Sequence, residues 1–334
     1  MISNTMQALF VETANGDFIS RQVPVPQPGP GEVLVKVAAS GVNPLDIKIR
    51  QGGASHACHA LPAVLGLDMA GTVVAVGADV YRFNVGDHVF GMVGGVGNIP
   101  GTLAEYVLAE AALLAHKPEK LSMREAAALP LIFITAWEGL VDRAKVNQEK
   151  TVLVHGGAGG VGHMAVQIAK AHGARVYATV SARDMEAVAL YGAIPIDYEA
   201  DSVTTYVKKY TDGEGFDIIY DTVGGATLDA SFNMARAYHG HVVSCLGWGT
   251  HALAPLSFKA ATYSGVFTLI PLLTGKGRQR HGEILAEAAK LVDTGQLTIR
   301  LDPQHFSFQE VGAAYKQITS GQTRGKVVIE VTAE

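Results

Sequence analysis

The sequence predicts an α/β protein of two domains: a doubly wound parallel sheet over residues 126–269, and a mainly antiparallel β domain assembled from residues 1–125 and 270–334. Three observations carry this reading. Short valine-rich runs separated by turn residues fill the first third of the chain, strand-like runs alternate with helical patterns from Thr151 onward, and a glycine cluster stands where the first of those strands meets its helix.

The antiparallel part rests on stretches such as Glu32-Val33-Leu34-Val35-Lys36-Val37 and Thr72-Val73-Val74-Ala75-Val76-Gly77. Pro24, Pro26, Pro28 and Pro30 exclude a central strand around them, because proline has no amide to give a ladder. Gly91, Gly94, Gly95, Gly97 and Gly101 predict a long flexible loop. Ser122-Met123-Arg124-Glu125 is a capping box, and the alanine- and leucine-rich segment behind it predicts one long helix into the second domain. There the pattern predicts strands at 151–155, 174–180, 194–196, 217–221 and 241–246, with helices to His172 and Tyr191. Val266 to Leu269 is expected as an edge strand. A helix over 278–294 and two strand-like runs, the last at 327–331, return the chain to the first domain and make that domain discontinuous.

Composition narrows the function. A chain of 334 residues can bury two cores without staples, and 48% hydrophobic residues with 38 glycines describe a soluble, loop-rich globular protein. A formal charge of −5 and the lack of any basic run beyond dipeptides such as Lys208-Lys209 argue against a nucleic-acid surface. The apolar stretch from Ala126 to Trp137 contains Pro130 and falls short of the ~20 residues that span a bilayer, so no membrane segment is expected. Cys58 and Cys245 are the only cysteines, which excludes a disulfide framework and a four-cysteine zinc lobe. The opening Met1-Ile2-Ser3-Asn4 lacks the basic start of a signal peptide, and the expected location is cytoplasmic.

The chemistry begins at Val152-Leu153-Val154-His155-Gly156-Gly157-Ala158-Gly159-Gly160-Val161-Gly162, a G-x-G-x-x-G placed after a hydrophobic strand and before a helix. Gly157 is expected to allow the tight turn, Gly159 the approach of a pyrophosphate, and Gly162 the close packing of helix on strand. The amides of Gly160 and Val161 then face the negative charge. The tip of the second strand reads Val180-Ser181-Ala182-Arg183. No carboxylate ends the strand, Ser181 offers a hydroxyl and Arg183 a fork for a 2′-phosphate, so NADPH is favoured over NADH, with Asp184 standing against that choice.

Taken together, these residues resemble the medium-chain dehydrogenase/reductase superfamily, and within it the zinc-independent quinone oxidoreductase (zeta-crystallin-like) branch. The resemblance runs through Ser40-Gly41-Val42-Asn43-Pro44-Leu45-Asp46, Gly66-Leu67-Asp68-Met69-Ala70-Gly71, Val85-Gly86-Asp87-His88-Val89-Phe90-Gly91, Gln167-Ile168-Ala169-Lys170, Asp221-Thr222-Val223-Gly224-Gly225 and Gly325-Lys326-Val327-Val328. It implies a Rossmann domain beside a chaperonin-10-like catalytic domain, and a homodimer paired through the sheet edge. Zinc-dependent members have Cys at Asn43 and His-Glu at Leu67-Asp68. Leucine offers a metal no lone pair and asparagine is a poor zinc ligand, so no metal site is expected there.

Without a Lewis acid, oxidation of simple alcohols is hard, while quinones and α,β-unsaturated carbonyls are already electron-poor enough to take hydride from NADPH. The resemblance implies Asn43 and Thr135 near the nicotinamide. Asp46 and Asp68 invite an acid/base reading, but bracing of the cleft through hydrogen bonds is the favoured role for both. The resemblance puts Val223, Gly224, Leu246, Gly247 and Phe267 along the cofactor, Tyr198 beside Ser181 and Arg183, and Lys326 reaching the cofactor from the C-terminal segment. Two other readings stand beside the reductase: an alcohol dehydrogenase with an atypical metal site at His56, Cys58 and His59, a loop otherwise read as the substrate entrance, and a cofactor-binding non-enzyme of the zeta-crystallin type.

Overall fold

The computed structural model describes residues 3–332. It divides into two compact units, Met1–Leu131 with Leu269–Glu334, and Ile132–Thr268. Eight strands open the chain: β1 (Thr5–Val11), β2 (Phe18–Pro24), β3 (Glu32–Gly41), β4 (Ala63–Val64), β5 (Asp68–Val76), β6 (His88–Met92), β7 (Tyr106–Glu110) and β8 (Leu114–His116), with helix α1 (Pro44–Arg50) between β3 and β4. β3 is buried at Val33, Leu34 and Val35 in succession and alternates buried and half-exposed residues only from Val35 to Ala39, as suits a strand covered on both faces over part of its length. It is central: β5 and β7 both pair with it antiparallel. The proline-rich entry leaves β2 at an edge, in the order β2-β1-β4.

Two expectations are corrected in this region. The glycine-rich stretch beyond β6 is packed rather than flexible. The Val93 amide donates to Leu67 O (2.8 Å), Gly97 to Ala57 O (2.8 Å) and Gly101 to Val64 O (3.0 Å). A Cβ at Gly94 would lie 2.1 Å from Pro100 O and one at Gly101 2.2 Å from Leu65 O, so these glycines serve close backbone approach. The helix after the capping box is broken as well. Ser122 and Glu125 do cap α2 (Met123–Ala127), but a proline cannot continue a helical ladder, and α3 (Pro130–Trp137) starts afresh at Pro130 before a π-helical turn, Glu138–Arg143.

The second unit alternates β9 (Thr151–His155), α4 (Gly160–Ala171), β10 (Arg175–Val180), α5 (Met185–Leu190), β11 (Ile194–Asp197), α6 (Val203–Thr211), β12 (Ile218–Asp221), α7 (Ala226–Met234), β13 (His241–Ser244), α8 (Ala254–Lys259) and β14 (Thr262–Gly265). All six strands are parallel, in the order β11-β10-β9-β12-β13-β14. The order reverses between β10 and β12 on either side of β9, which is where doubly wound sheets take ligands at the carboxyl ends of their strands. Leu153, Tyr177, Ile219, Phe216 and Phe232 anchor the core. The edge strand is Thr262–Gly265, and Val266 to Leu269, expected as that edge, lies beyond it with Val266 and Leu269 buried.

The chain then returns to the first unit through α9 (Ile270–Thr274), α10 (Arg278–Asp293), β15 (Phe306–Ser307), α11 (Val311–Thr319) and β16 (Val328–Glu330). β16 pairs antiparallel with the end of β3, Val328 opposite Gly41. That register sets Lys326 beside Val42 and Asn43. Among the described residues no helix is long and apolar enough to cross a membrane.

Candidate functional site

The glycine turn is assembled by exclusion. Gly156 carries the left-handed conformation (φ +70°), one residue earlier than the motif implies. Gly157 lies under β10, where a Cβ would meet the Ala178 methyl at 2.6 Å, and a Cβ at Gly162 would sit 2.0 Å from Gly156 O. At Gly159, the N-cap of α4, a Cβ would meet only Gly156 O, at 3.2 Å. The turn is therefore tight on the protein side and open at the helix start, where the first amides, those of Gly160, Val161 and Gly162, have no carbonyl one turn back to accept them. This cradle fits a dinucleotide pyrophosphate.

At the tip of β10, Ser181 Oγ donates to Asp184 Oδ2 (3.3 Å) and Arg183 Nε donates to the same oxygen (3.2 Å). Tyr198 follows β11 with its ring exposed, and its amide donates to Val180 O (3.3 Å). One carboxylate organises the next strand ends. Asp221, fully buried, accepts from the amides of Val223 (3.1 Å) and Gly224 (3.0 Å) and from Ser244 Oγ (2.7 Å), and Ser244 Oγ accepts from the Leu246 amide (3.0 Å). Val223, Gly224 and Leu246 are thus held by a single relay. A Cβ at Gly247 would fall 2.1 Å from the Tyr263 hydroxyl, and the Trp248 and Phe267 rings meet edge to face at 6.0 Å. His155, buried behind the turn, is pushed down to about 4 by burial, against the pull of Asp221, and its Nδ1 lies 3.0 Å from Thr179 Oγ1.

Thr135 is buried on the last turn of α3, just before the π-helical turn. Its carbonyl accepts from the buried Tyr220 hydroxyl (2.7 Å), and a Cβ on Gly139 would lie 2.2 Å from that ring. Sequence reasoning had no signal for this lock.

In the first unit, four buried polar side chains meet. Lys326 Nζ donates to Val42 O (2.8 Å) and Asn43 Oδ1 (2.5 Å), while Asn43 Nδ2 donates to Asp68 Oδ2 (2.9 Å). The Asn43 amide donates to Asp46 Oδ2 (2.7 Å), closing the cap of α1, and the Leu131 amide donates to Asp68 Oδ1 (3.1 Å). Asp46 Oδ1 is buried without a hydrogen-bond partner. Two carboxylates share one ammonium here. Burial pushes the Asp46 carboxyl up to about 7, and the neighbouring Asp68 charge adds to the rise; burial likewise lifts Asp68 to about 6 against Lys326 and Asn43. Burial lowers the Lys326 ammonium while both aspartates oppose the shift. Lys326 is thus no solvated charge: its ammonium is spent on Val42 and Asn43.

In the loop of His56, Cys58 and His59, the Cys58 and His59 groups lie against backbone carbonyls. Cys58 Sγ lies 3.7 Å from Ser55 O, and His59 Nε2 lies 3.4 Å from Val64 O. Among the described residues no three His, Cys, Asp or Glu side chains are grouped to hold a metal ion.

Comparison with known proteins places this geometry. The alcohol dehydrogenase GroES-like domain model matches residues 29–119, and the zinc-binding dehydrogenase model matches residues 192–329. A 2-methylene-furan-3-one reductase from Solanum lycopersicum is 35% identical over 93% of this chain and 74% of its own length. The chain belongs to the medium-chain dehydrogenase/reductase superfamily. An NADPH-dependent alkenal/one oxidoreductase, chloroplastic, from Arabidopsis thaliana is 33% identical over 93% of this chain and 75% of its own. Among solved structures, an alcohol dehydrogenase superfamily protein from Novosphingobium aromaticivorans superposes with a TM-score of 0.96 at 56% identity, covering 98% of this chain and all of that one. A quinone oxidoreductase from Coxiella burnetii gives 0.82 at 30%, covering 98% and all. The chain is an oxidoreductase of the superfamily's quinone-oxidoreductase-like branch, built as its relatives are from a GroES-like domain and a Rossmann-like sheet.

Proposed function

We propose that this oxidoreductase uses NADPH to reduce quinones or α,β-unsaturated carbonyls without a catalytic zinc. One observation carries the reading. Where zinc-dependent members present ligands, Leu67 is a buried hydrocarbon and Asn43 has its oxygen taken by Lys326 and its amide nitrogen by Asp68. Such a site favours acceptors activated by their own chemistry. The relatives named for alkenal/one, furanone and quinone reduction support the same acceptor class.

When bound, the reduced nicotinamide supplies the hydride. The remaining work falls to the chain. The amides of Gly160, Val161 and Gly162 hold the pyrophosphate, Ser181 and Arg183 take the 2′-phosphate beside Tyr198, and the Asp221 relay fixes Val223, Gly224 and Leu246 along the cofactor with Gly247 and Phe267. Thr135 is assigned to the nicotinamide end of the second unit's cofactor surface; in the first unit Asn43 is braced by Lys326 and Asp68, and Asp46 Oδ1 can hold a proton near neutral pH. Lys326 is assigned to Asn43 rather than to direct contact with the cofactor.

The reading includes a homodimer, now through the exposed edge of β14, and a cytoplasmic location, supported by free Cys58 and Cys245. A monomeric mass at micromolar concentration would remove the dimer. Turnover is tested by NADPH oxidation with 1,4-benzoquinone, 9,10-phenanthrenequinone and a set of enones, with and without a chelator. Silence across the panel, or loss of activity to the chelator, overturns the proposal. Arg183→Ala should weaken NADPH relative to NADH by roughly ten- to a hundredfold, the worth of a charge-assisted hydrogen bond.

A further inference from the structure

The first unit carries a row of cationic side chains that the proposed reduction does not use. Lys36 of β3 stands opposite Thr72 of β5, and Thr72 stands opposite His88 of β6. The Lys117 amide donates to His88 O (2.8 Å), which continues the row past the end of β8. Residues directly opposite one another share a face of the sheet, and these four line one cavity of about 380 Å³. The cavity lies wholly within the first unit. Thr72 is four residues from Asp68, about 13 Å along an extended strand, so the cavity is separate from the cluster around Asn43.

The lining has one sign of charge. No aspartate or glutamate faces the cavity, in a chain whose formal charge is −5. Acids close in sequence are engaged elsewhere: Asp87 accepts from the Asn84 amide (2.8 Å), Glu125 from the Ser122 amide (2.9 Å), and Glu330 pairs with His305 (2.6 Å). Lys117 is held in place, its Nζ donating to Pro118 O (2.8 Å) and to Leu121 O, which leaves one N–H to give. Among the described residues, Lys36 Nζ and the His88 ring make no hydrogen bond or ion pair. Lys36 is half-buried in the middle of the sheet, not at an edge where a lysine would serve to block pairing. The remaining wall includes the apolar Ala38, Leu121 and the buried Met123.

We propose that this cavity binds a small phosphomonoester, with its phosphate on Lys36, His88, Lys117 and the Thr72 hydroxyl and its organic body against Leu121 and Met123. A phosphate presents three terminal oxygens and close to two charges, enough to meet all three cationic groups at once. A lone carboxylate has two oxygens and one charge. The volume falls in the range of cavities that take small organic ligands and exceeds what a bare phosphate fills. A concave wall of one sign also concentrates the anion before it binds.

Phenyl phosphate is the probe, titrated by calorimetry into the full-length protein with NADPH at saturation, so that the glycine turn is not free to take it. Lys36→Gln should weaken its binding by about tenfold, the low end of what one charge-assisted hydrogen bond is worth, and His88→Gln should act in the same direction from the neighbouring strand. Lys36→Arg keeps the charge and should keep most of the affinity. Lys36→Gln removes no hydrogen bond of the folded chain, so its melting temperature without ligand should lie within about 2 °C of wild type. Phenyl phosphate should then raise the melting temperature of the wild type more than that of the variant. Absence of binding at about 10 mM, far weaker than a built site would give, overturns the proposal, as does equal affinity in wild type and Lys36→Gln. Inorganic phosphate binding as tightly as phenyl phosphate overturns the assignment to an organic ligand, and benzoate binding as tightly overturns the assignment to a phosphate.

Discussion

Replacing Asp46 by Asn should make the protein less sensitive to pH. In the folded chain Asp46 is fully buried, with one oxygen bonded to the Asn43 amide and the other unpartnered, and its carboxyl rises from 3.8 to about 7. Between those values the native state binds a proton that the unfolded chain has released. Its stabilising contribution is complete below pH 3.8 and is lost as pH climbs through 7. At about 1.4 kcal/mol per pH unit, the rise corresponds to roughly 4 kcal/mol of folding free energy surrendered by the ionised form. Asparagine keeps an acceptor for the Asn43 amide and has nothing to titrate. Thermal melts of both proteins from pH 4.5 to 7.5 should therefore cross. The wild type should lose ground steadily, and the variant should be the more stable of the two at pH 7.5 by about 5 to 10 °C, at ~2–4 °C per kcal/mol for a domain of this size. Melting curves that stay parallel across the range would show that Asp46 does not carry the extra proton.

Lys326→Met should be strongly destabilising, by about 3–5 kcal/mol, because it leaves two buried carboxylates without their ammonium. Adding Asp68→Asn should recover a large part of that loss, and strict additivity in denaturant unfolding would refute the shared-charge account. Gly162→Ala drives a methyl toward Gly156 O, 2.0 Å away, and should cost about 1–3 kcal/mol with a loss of NADPH fluorescence enhancement. A variant that binds and melts as wild type would show that the turn has slack. Tyr220→Phe removes only the bond to the Thr135 carbonyl and should cost about 1 kcal/mol, while Gly139→Ala, which collides with the ring itself, should cost more in the same melts.

The glycine turn was legible because its spacing records backbone clearances directly: where a Cβ cannot fit, only glycine stands. The strand and helix alternation was legible for the same reason, since burial on both faces writes long apolar runs. Other features depended on packing that no local pattern encodes. The edge strand Thr262–Gly265 reads as polar and unremarkable beside the apolar Val266 to Leu269, yet the ladder with β13 runs along the former and ends with the Val266 amide on Ser244 O (2.9 Å). The glycines after β6 look mobile in sequence because close backbone approach and freedom of motion call for the same residue. The meeting of Asn43 with Lys326 joins positions 283 apart in the chain, through the β3–β16 register. Asp184 was visible as an acid at the wrong place for NADPH, but its hydrogen bonds to Ser181 and Arg183 belong to the folded loop.

The π-helical turn at Glu138–Arg143 has a consequence for how this segment can change. A π-turn holds one more residue than an α-turn and takes it up locally, so deleting a residue there would restore regular winding with the flanking segments in phase while shifting the residues of the turn itself. Such a deletion would also move Gly139 out from beneath Tyr220, and any other side chain arriving there would meet the ring. The length of the π-helical turn, Gly139 and Tyr220 are in this sense one unit of design: a variant that rebuilds Glu138–Arg143 must also change the residue of β12 that packs on it.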